Sequence, residues 1–577
     1  MKFVRTGLML SIFLYSLSAC KKSPAAPDNG GGGNNGGGGV VNPVDPPTEN
    51  TIGFFLDDWT PRNFTAPSYD EVPPPAGSAN VFVKIDASQI ITKVPSAVYG
   101  HNANIWMTQM VTETPFINHV KNLQPNIIRF PGGSISDIYF WNAAPNQKPA
   151  DAPSTLINSS GAAVPAGYWY GKNTEWWTAS LDNYYEMLRQ TGNQGMLTVN
   201  YGYARYGTGP NPVAQAAHLA ADWVRYDNGR TKYWEIGNES NGTWEAGYRI
   251  NTANNKDGQP EIITGSLYGQ HVKVFVDSMK KAAQEIGKTI FIGAYLLEKQ
   301  PESWQTPTDQ TWNSGVLNQS ANKADYYVIH SYYTPYQQNS NADLILSTAT
   351  EVTKAMVPYV KTSITNAGAT VKPIALNEWN ITSMGSMQQV SSVNGIHAAI
   401  ILGESIKNKY GMTARWDLAN AWENGNDHGL FNNGDEPGVS KWNPRPAFYY
   451  MYYFQKLFGD RMLSSSVIGG NTVSFASSFS SGQKSVVVVN KSTSNQIALV
   501  TLENATPGSR YYYYVLNGGT DNGDFSRKVF VNGRGPTEPS GGPANDYTSI
   551  KAYSASTTGG IKFNLPARSV VYLVIDK

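Results

Sequence analysis

Short, mostly apolar runs alternate along the middle of the chain with longer stretches in which apolar residues return every three or four positions. Ser96 to Gly100, Ile127 to Phe130, Met196 to Tyr201 and Lys232 to Gly237 have the length and texture of strands buried on both faces. Thr289 to Ala294, Tyr326 to Ile329, Pro373 to Leu376 and Met412 to Trp416 complete the set. Between them, Leu181, Tyr184, Tyr185 and Leu188 fall at helical spacing before Gly192, as do Val213, Ala216, Ala217, Ala220 and Val224. Val272, Phe275, Val276, Met279, Ala283 and Ile286 form another helical face, and similar patterns cover Ala342 to Lys361 and Val393 to Lys407. Eight buried strands alternating with helices predict a parallel sheet closed into a (β/α)8 barrel over residues 96–460, its last helix being Pro446 to Phe458.

From residue 461 to 577 the texture changes to short alternating runs, such as Ser485 to Asn490 and Val570 to Ile575, separated by Gly, Ser and Asn. This predicts a C-terminal β-sandwich. Residues 51–95 read as an extended lead-in, and the alternation in Val81 to Ile85 marks a strand expected to join that sandwich.

The first twenty residues carry Lys2 and Arg5, an apolar run from Leu8 to Leu17, then small residues before Cys20. That is the layout of a secretory signal, too short to span a membrane. LSAC at Leu17 to Cys20 resembles the lipobox of bacterial lipoproteins, and Cys20 is the only cysteine, so no disulfide forms within the chain. An ordinary signal peptide with an incidental cysteine is the alternative. Residues 21–50, dominated by Gly, Asn and Pro, predict a flexible tether. The expectation is an exported protein of the bacterial cell envelope, an outer-membrane lipoprotein held to the membrane through Cys20.

Charge and composition narrow the chemistry. Forty-four basic residues against 43 acidic ones give a net charge of +1 with no basic run, which argues against nucleic acid as a partner. The seven histidines show no metal-ligand spacing, and the glycine run near Gly30 precedes no strand and helix, so no metal, phosphate loop or cofactor is expected. Aromatic content is high, with 34 Tyr, 20 Phe and 15 Trp. Aromatic faces suit the apolar faces of sugar rings, although most aromatics serve as core.

Catalytic groups of such a barrel lie at the C-terminal ends of its strands. KYWEIGNE, from Lys232 to Glu239, delivers Asn238 and Glu239 after the fourth strand, and LNEWN delivers Glu378 after the seventh. Two carboxyl groups flanking a glycosidic bond suffice to hydrolyse it, one as acid and the other as nucleophile. A pair of solvated loop glutamates is the plainer reading of the same residues.

The chain resembles the α-L-arabinofuranosidases of glycoside hydrolase family 51. The likeness rests on VYGH ending at His101, IRFPGG from Ile128 to Gly133, YGTG from Tyr206 to Gly209, and IGNESNGTW from Ile236 to Trp244. It continues in ADYYVIHSYY from Ala324 to Tyr333, LNEWN from Leu376 to Asn380 and, more weakly, LPARSVVYLVI from Leu565 to Ile575. The resemblance implies Glu239 as general acid/base and Glu378 as the nucleophile of a retaining hydrolase. It further implies Asn238 on the sugar 2-hydroxyl, Arg129 on a sugar hydroxyl or the nucleophile, Tyr332 by the nucleophile or ring oxygen, and His330 as polar support. Trp244 and Trp379 are candidate sugar platforms or rim packing. Two positions depart from the family pattern: Asn104 stands where a substrate-contacting Glu is usual, and Ser134 where Asn usually follows PGG. Both bear on which sugar is held. The insert from Trp141 to Trp177, with Tyr168, Trp169, Tyr170 and Trp176, is expected to offer aromatic subsites for a polymer. An endo-β-glucanase or xylanase on the same machinery, and a non-catalytic glycan-binding lipoprotein, stand as alternatives. Oligomerisation is implied by relatives that assemble as hexamers.

Overall fold

The computed structural model describes residues 43–320, 323–382, 387–422 and 428–577. Eight parallel strands close into a barrel: β1 (Gly100–Asn102), β2 (Ile127–Phe130), β3 (Gln194–Val199), β4 (Thr231–Ile236), β5 (Phe291–Tyr295), β6 (Tyr326–Tyr332), β7 (Ile374–Asn380) and β8 (Met412–Arg415). Each is buried over nearly its whole length, as continuous apolar runs demand when helices cover the outside and side chains fill the inside. The helices have legible ends. Leu181–Thr191 starts on the Ser180 side chain, which accepts from Asn183 N, and stops where Gly192 turns left-handed at φ 71°.

Three barrel-strand boundaries differ from the sequence reading by more than two residues. Ser96–Val98 is a 3-10 turn and the first strand begins at Gly100. Ala97 and Val98 are buried there all the same, and an apolar run cannot by itself distinguish a buried turn from a strand. At Gly100 a Cβ would lie 2.3 Å from the Thr413 carbonyl oxygen, so only glycine lets β8 approach this closely. β6 and β7 run on to Tyr332 and Asn380, which places His330 and Glu378 within strands rather than after them. Register shifts between Ile329 and His330, and between Leu376 and Trp379, re-aim these ends.

The lead-in closes the N-terminal end of the barrel. Phe54 and Phe55 sit in the turn Gly53–Leu56. Phe54 stacks on Phe291 at 3.9 Å between ring centroids, and Phe55 on Tyr233 at 5.1 Å. The predicted tether gives way to anchored chain before residue 50, because Asp45 pairs with Arg461 at 2.6 Å and Glu49 with Lys409 at 2.8 Å. The signal segment, Cys20 and the tether up to residue 42 lie outside the described residues.

Beside the barrel lies one sheet of eleven strands, built mostly from residues 461–577. Val81–Lys93 lies inside this sheet, antiparallel to Arg461–Ile468 and parallel to Gln496–Glu503. Its Val81, Val83 and Ile85 point into a core shared with Val486, Val488, Val571 and Leu573. Distant strands meet across that core, the Tyr511 hydroxyl donating to Lys562 O at 2.6 Å. The helix Pro446–Leu457 joins sheet to barrel, where Tyr572 donates to Tyr450 O at 2.7 Å.

Candidate active site

At the C-terminal end of β4 the chain reverses sharply. Gly237 takes φ 70° and Glu239 φ 38°, and a left-handed glutamate is a strained conformation held by its surroundings. The turn swings the Glu239 carboxyl toward β6 and β7. There His330 donates from Nδ1 to Glu239 Oε1 at 2.8 Å, while Trp244 Nε1 donates to Glu239 Oε2 at 3.2 Å. Glu378 lies deeper. Arg129 Nη1 donates to its Oε2 at 2.9 Å and the Tyr332 hydroxyl to its Oε1 at 2.6 Å. One oxygen of each glutamate and a ring nitrogen of His330 lie within 4.8 Å of one another.

Arg129 organises the floor. Besides Glu378, its Nε donates to Glu235 at 2.7 Å, Nη1 to Asn102 at 3.0 Å and Nη2 to Asn238 Oδ1 at 2.8 Å. The guanidinium is fully buried and committed to protein partners, so it orients Glu378 and Asn238. Asn238 Nδ2 in turn donates to Glu245 Oε1 at 2.9 Å, which also accepts from the Ser134 hydroxyl at 2.7 Å. A continuous chain of hydrogen bonds therefore runs Ser134, Glu245, Asn238, Arg129, Glu378.

The charges follow from this arrangement. Burial opposes a charge on His330, yet the carboxylates of Glu378, Glu235 and Glu239 overcome it and raise its pKa to about 10. Burial likewise raises Glu235, but Arg129 and His330 outweigh it and hold the carboxyl down at about 2. Glu378 is pushed up by burial and by Glu239, against the pull of His330 and Arg129. Burial next to Asp137 lifts Glu245 well above the carboxylate range. The spacing of Glu239, His330 and Glu378 is one at which ligands hold a metal ion. The guanidinium of Arg129 and a protonated His330 oppose a cation at that point.

Above the glutamates opens a cleft of about 800 Å³, walled by the segments that follow β4, β5 and β6. Glu239, Trp244, Tyr295, His330, Tyr332 and Glu378 line it, with Trp304 and Tyr336 at its mouth. Several residues singled out from the sequence sit elsewhere. Asn104 is wholly buried, its amide donating to Asp417 at 2.8 Å and Ala419 O at 2.6 Å while its oxygen accepts from Trp106 N. Trp379 is 0% exposed and cannot be a sugar platform, because β7 continues through it and turns the ring into the core. Ser134 acts on the site through Glu245. Trp244, 65% exposed, does face the cleft. The Trp141 to Trp177 insert does not line this cleft; its residues 156–159 and 164–166 instead line a neighbouring pocket that Ser134, Thr243, Trp244 and Glu245 share. Its Trp169 packs against Trp106 and Trp177, and its Tyr168 against Phe140.

Glu235, Glu245 and Asp137 were not foreseen. The signal for Glu235 was present, since a carboxylate inside an apolar parallel strand must find a buried partner. Asp137 sits in the 3-10 turn Gly133–Ile138 and Glu245 in the loop after β4, where sequence gives no such cue.

Residues 119–348 match the family described as the Alpha-L-arabinofuranosidase 1 domain. An intracellular exo-alpha-(1->5)-L-arabinofuranosidase from Streptomyces lividans is 22% identical over 303 residues, a match spanning 50% of this chain and 40% of that protein. An alpha-L-arabinofuranosidase from Thermotoga maritima, solved with arabinose, superposes with a TM-score of 0.59 at 16% identity, covering 86% of this chain and all of that one. A bifunctional glucanase-xylanase from a metagenome library superposes at 0.55 and 15% identity, covering 87% of this chain and 100% of the other. The solved structures define the class by fold, a (β/α)8 barrel followed by a β-rich region. Solved structures described as family 51 arabinofuranosidases, among them one from Thermotoga petrophila RKU-1 at a TM-score of 0.58 and 15% identity, share this fold.

Proposed function

We propose that the protein is a retaining glycoside hydrolase that releases α-L-arabinofuranosyl units by double displacement. The observation that carries the reading is the pair of glutamates with oxygens within 4.8 Å, Glu239 half-buried and Glu378 buried. Retention calls for carboxyl groups about 5 to 5.5 Å apart, whereas inversion needs roughly 6.5 to 9.5 Å to admit a water. Glu378, held by Arg129 and Tyr332, attacks the anomeric carbon and forms a glycosyl ester. Glu239 gives its proton to the departing oxygen, then takes one from the water that cleaves the ester. Asn238 keeps one amide N–H beyond that given to Glu245, and this one meets the sugar 2-hydroxyl as charge develops. His330 holds Glu239 in position across both steps.

Hydrolysis of an aryl α-L-arabinofuranoside is compared with that of aryl β-glucoside, aryl β-xyloside and soluble β-glucans. Activity on the arabinofuranoside with a retained anomer in proton NMR supports the reading. Activity on β-glucans alone points to an endoglucanase, glycan binding without hydrolysis to a binding protein, and an inverted product removes Glu378 as nucleophile. Export and lipid attachment at Cys20 belong to this reading on sequence grounds, in contrast to the relative described as intracellular. Palmitate labelling that disappears in Cys20→Ser tests them.

A further inference from the structure

The mouth of the cleft carries exposed aromatic surface. Trp304 is 81% exposed and Tyr336 58%, and both line the same space as Glu239. Burying such surface in water's place is favourable, so an exposed indole inside a cleft marks a contact surface. The platform is also built to stay in place. Glu302 N donates to Gln305 Oε1 at 2.7 Å and Gln305 N to Glu302 O at 2.9 Å, which closes the turn that holds Trp304. Asp309, which caps this segment by accepting from Thr306 N, also accepts from Asn241 Nδ2 at 2.7 Å. Asn241 lies two residues beyond Glu239, so the turn bearing Trp304 is tied to the loop that bears the acid.

Direction follows from the chemistry. Glu378 and Asn238, held from below by Arg129, mark the floor where the ring under attack lies, whereas Glu239 must lie against the leaving oxygen. Trp244, bonded to Glu239, faces the first ring on the leaving side. Trp304 and Tyr336 line the same cleft and are exposed at 81% and 58%, and a space of about 800 Å³ holds several sugar rings.

We propose that Trp304 and Tyr336 form a leaving-group-side subsite that stacks on sugar rings past the first, so that the substrate is an oligosaccharide or polysaccharide chain. This rests on the hydrolase reading above and adds the length and side of the chain that is bound. Preorganised aromatic faces lower the entropy cost of holding a flexible chain, and the gain grows with each ring until the platform is filled.

The test measures kcat/KM of the full-length protein on α-1,5-linked arabino-oligosaccharides of two to five residues. The wild type is expected to gain roughly tenfold from the shortest to the longest, the equivalent of one or two good stacking contacts. Trp304→Ala and Tyr336→Ala are expected to flatten that rise and leave the disaccharide within about twofold. No rise in the wild type, or an equal fall at every length, overturns the proposal. Affinity electrophoresis through gels containing arabinan or β-glucan reads the subsite without catalysis: the wild type is retarded and the variants run faster. Equal mobility of wild type and variants in both gels also overturns it. Hydrolysis at no length, with retardation lost in the variants, removes the arabinofuranosidase reading while sustaining the subsite.

Discussion

The floor and the mouth of the cleft are made from opposite materials. At the floor, Arg129, Glu235, Asn238 and Glu378 are buried and joined by hydrogen bonds that leave little freedom. At the mouth, Trp244, Trp304 and Tyr336 expose most of their rings on loops. A buried polar network has much to lose from any missing member, because each orphaned group retains its desolvation cost. An exposed ring loses only its own contact. The floor is therefore expected to govern chemistry and stability, the mouth affinity for chains.

The largest effect expected to expose this contrast is at the nucleophile. Glu378→Ala should cut turnover of every substrate by at least about 10⁴-fold, since covalent catalysis has no substitute here. Glu239→Ala should spare substrates with activated aryl leaving groups far more than oligosaccharides, because good leaving groups need no proton. Equal losses on both substrates would break the division of roles. Arg129→Met comes next: it strands Glu235 and Glu378 together, and denaturant unfolding should register a loss of about 3 to 5 kcal/mol.

His330 gives a graded test. Its pKa is raised in the folded state from 6.5 to about 10, so the stability from its pairing is complete below pH 6.5 and lost as pH rises toward 10. Melting temperatures of the wild type should fall across that window, and those of His330→Asn should fall less. The smallest effect belongs to Ser134→Ala. Removing one of the two donors to Glu245 should cost about 0.5 to 1.5 kcal/mol and lower kcat modestly, with oligosaccharide length dependence unchanged. A change in length dependence would mean that Ser134 touches the chain itself.

Much of this was legible in the chain. Buried parallel strands write themselves as apolar runs, and the barrel rule then fixes which ends matter, so Glu239 and Glu378 emerged as candidates from position while the family resemblance supplied their roles. The extensions of β6 and β7 escaped notice because polar residues such as His330, Asn377 and Asn380 interrupt the apolar pattern while remaining buried. Asn104 was expected to face the sugar and is buried, and for Trp379 packing prevails over the platform, for a related reason: a strand or loop near the site can turn either face to it, and sequence does not record which. The role of Phe54 and Phe55 at the barrel's other end could not be read from a segment without period. Trp304 and Tyr336 lie in loops with no motif, so only three-dimensional placement brings them beside Glu239.

The central claim is that Glu378 bonds covalently to the sugar. The protein is incubated with an activated 2-deoxy-2-fluoro-arabinofuranoside, quenched, digested and analysed by mass spectrometry. A glycosyl mass increment on the peptide containing Glu378, absent in Glu378→Ala, is the expected result. An unmodified Glu378 peptide from enzyme that turns over the parent substrate with inversion would contradict it.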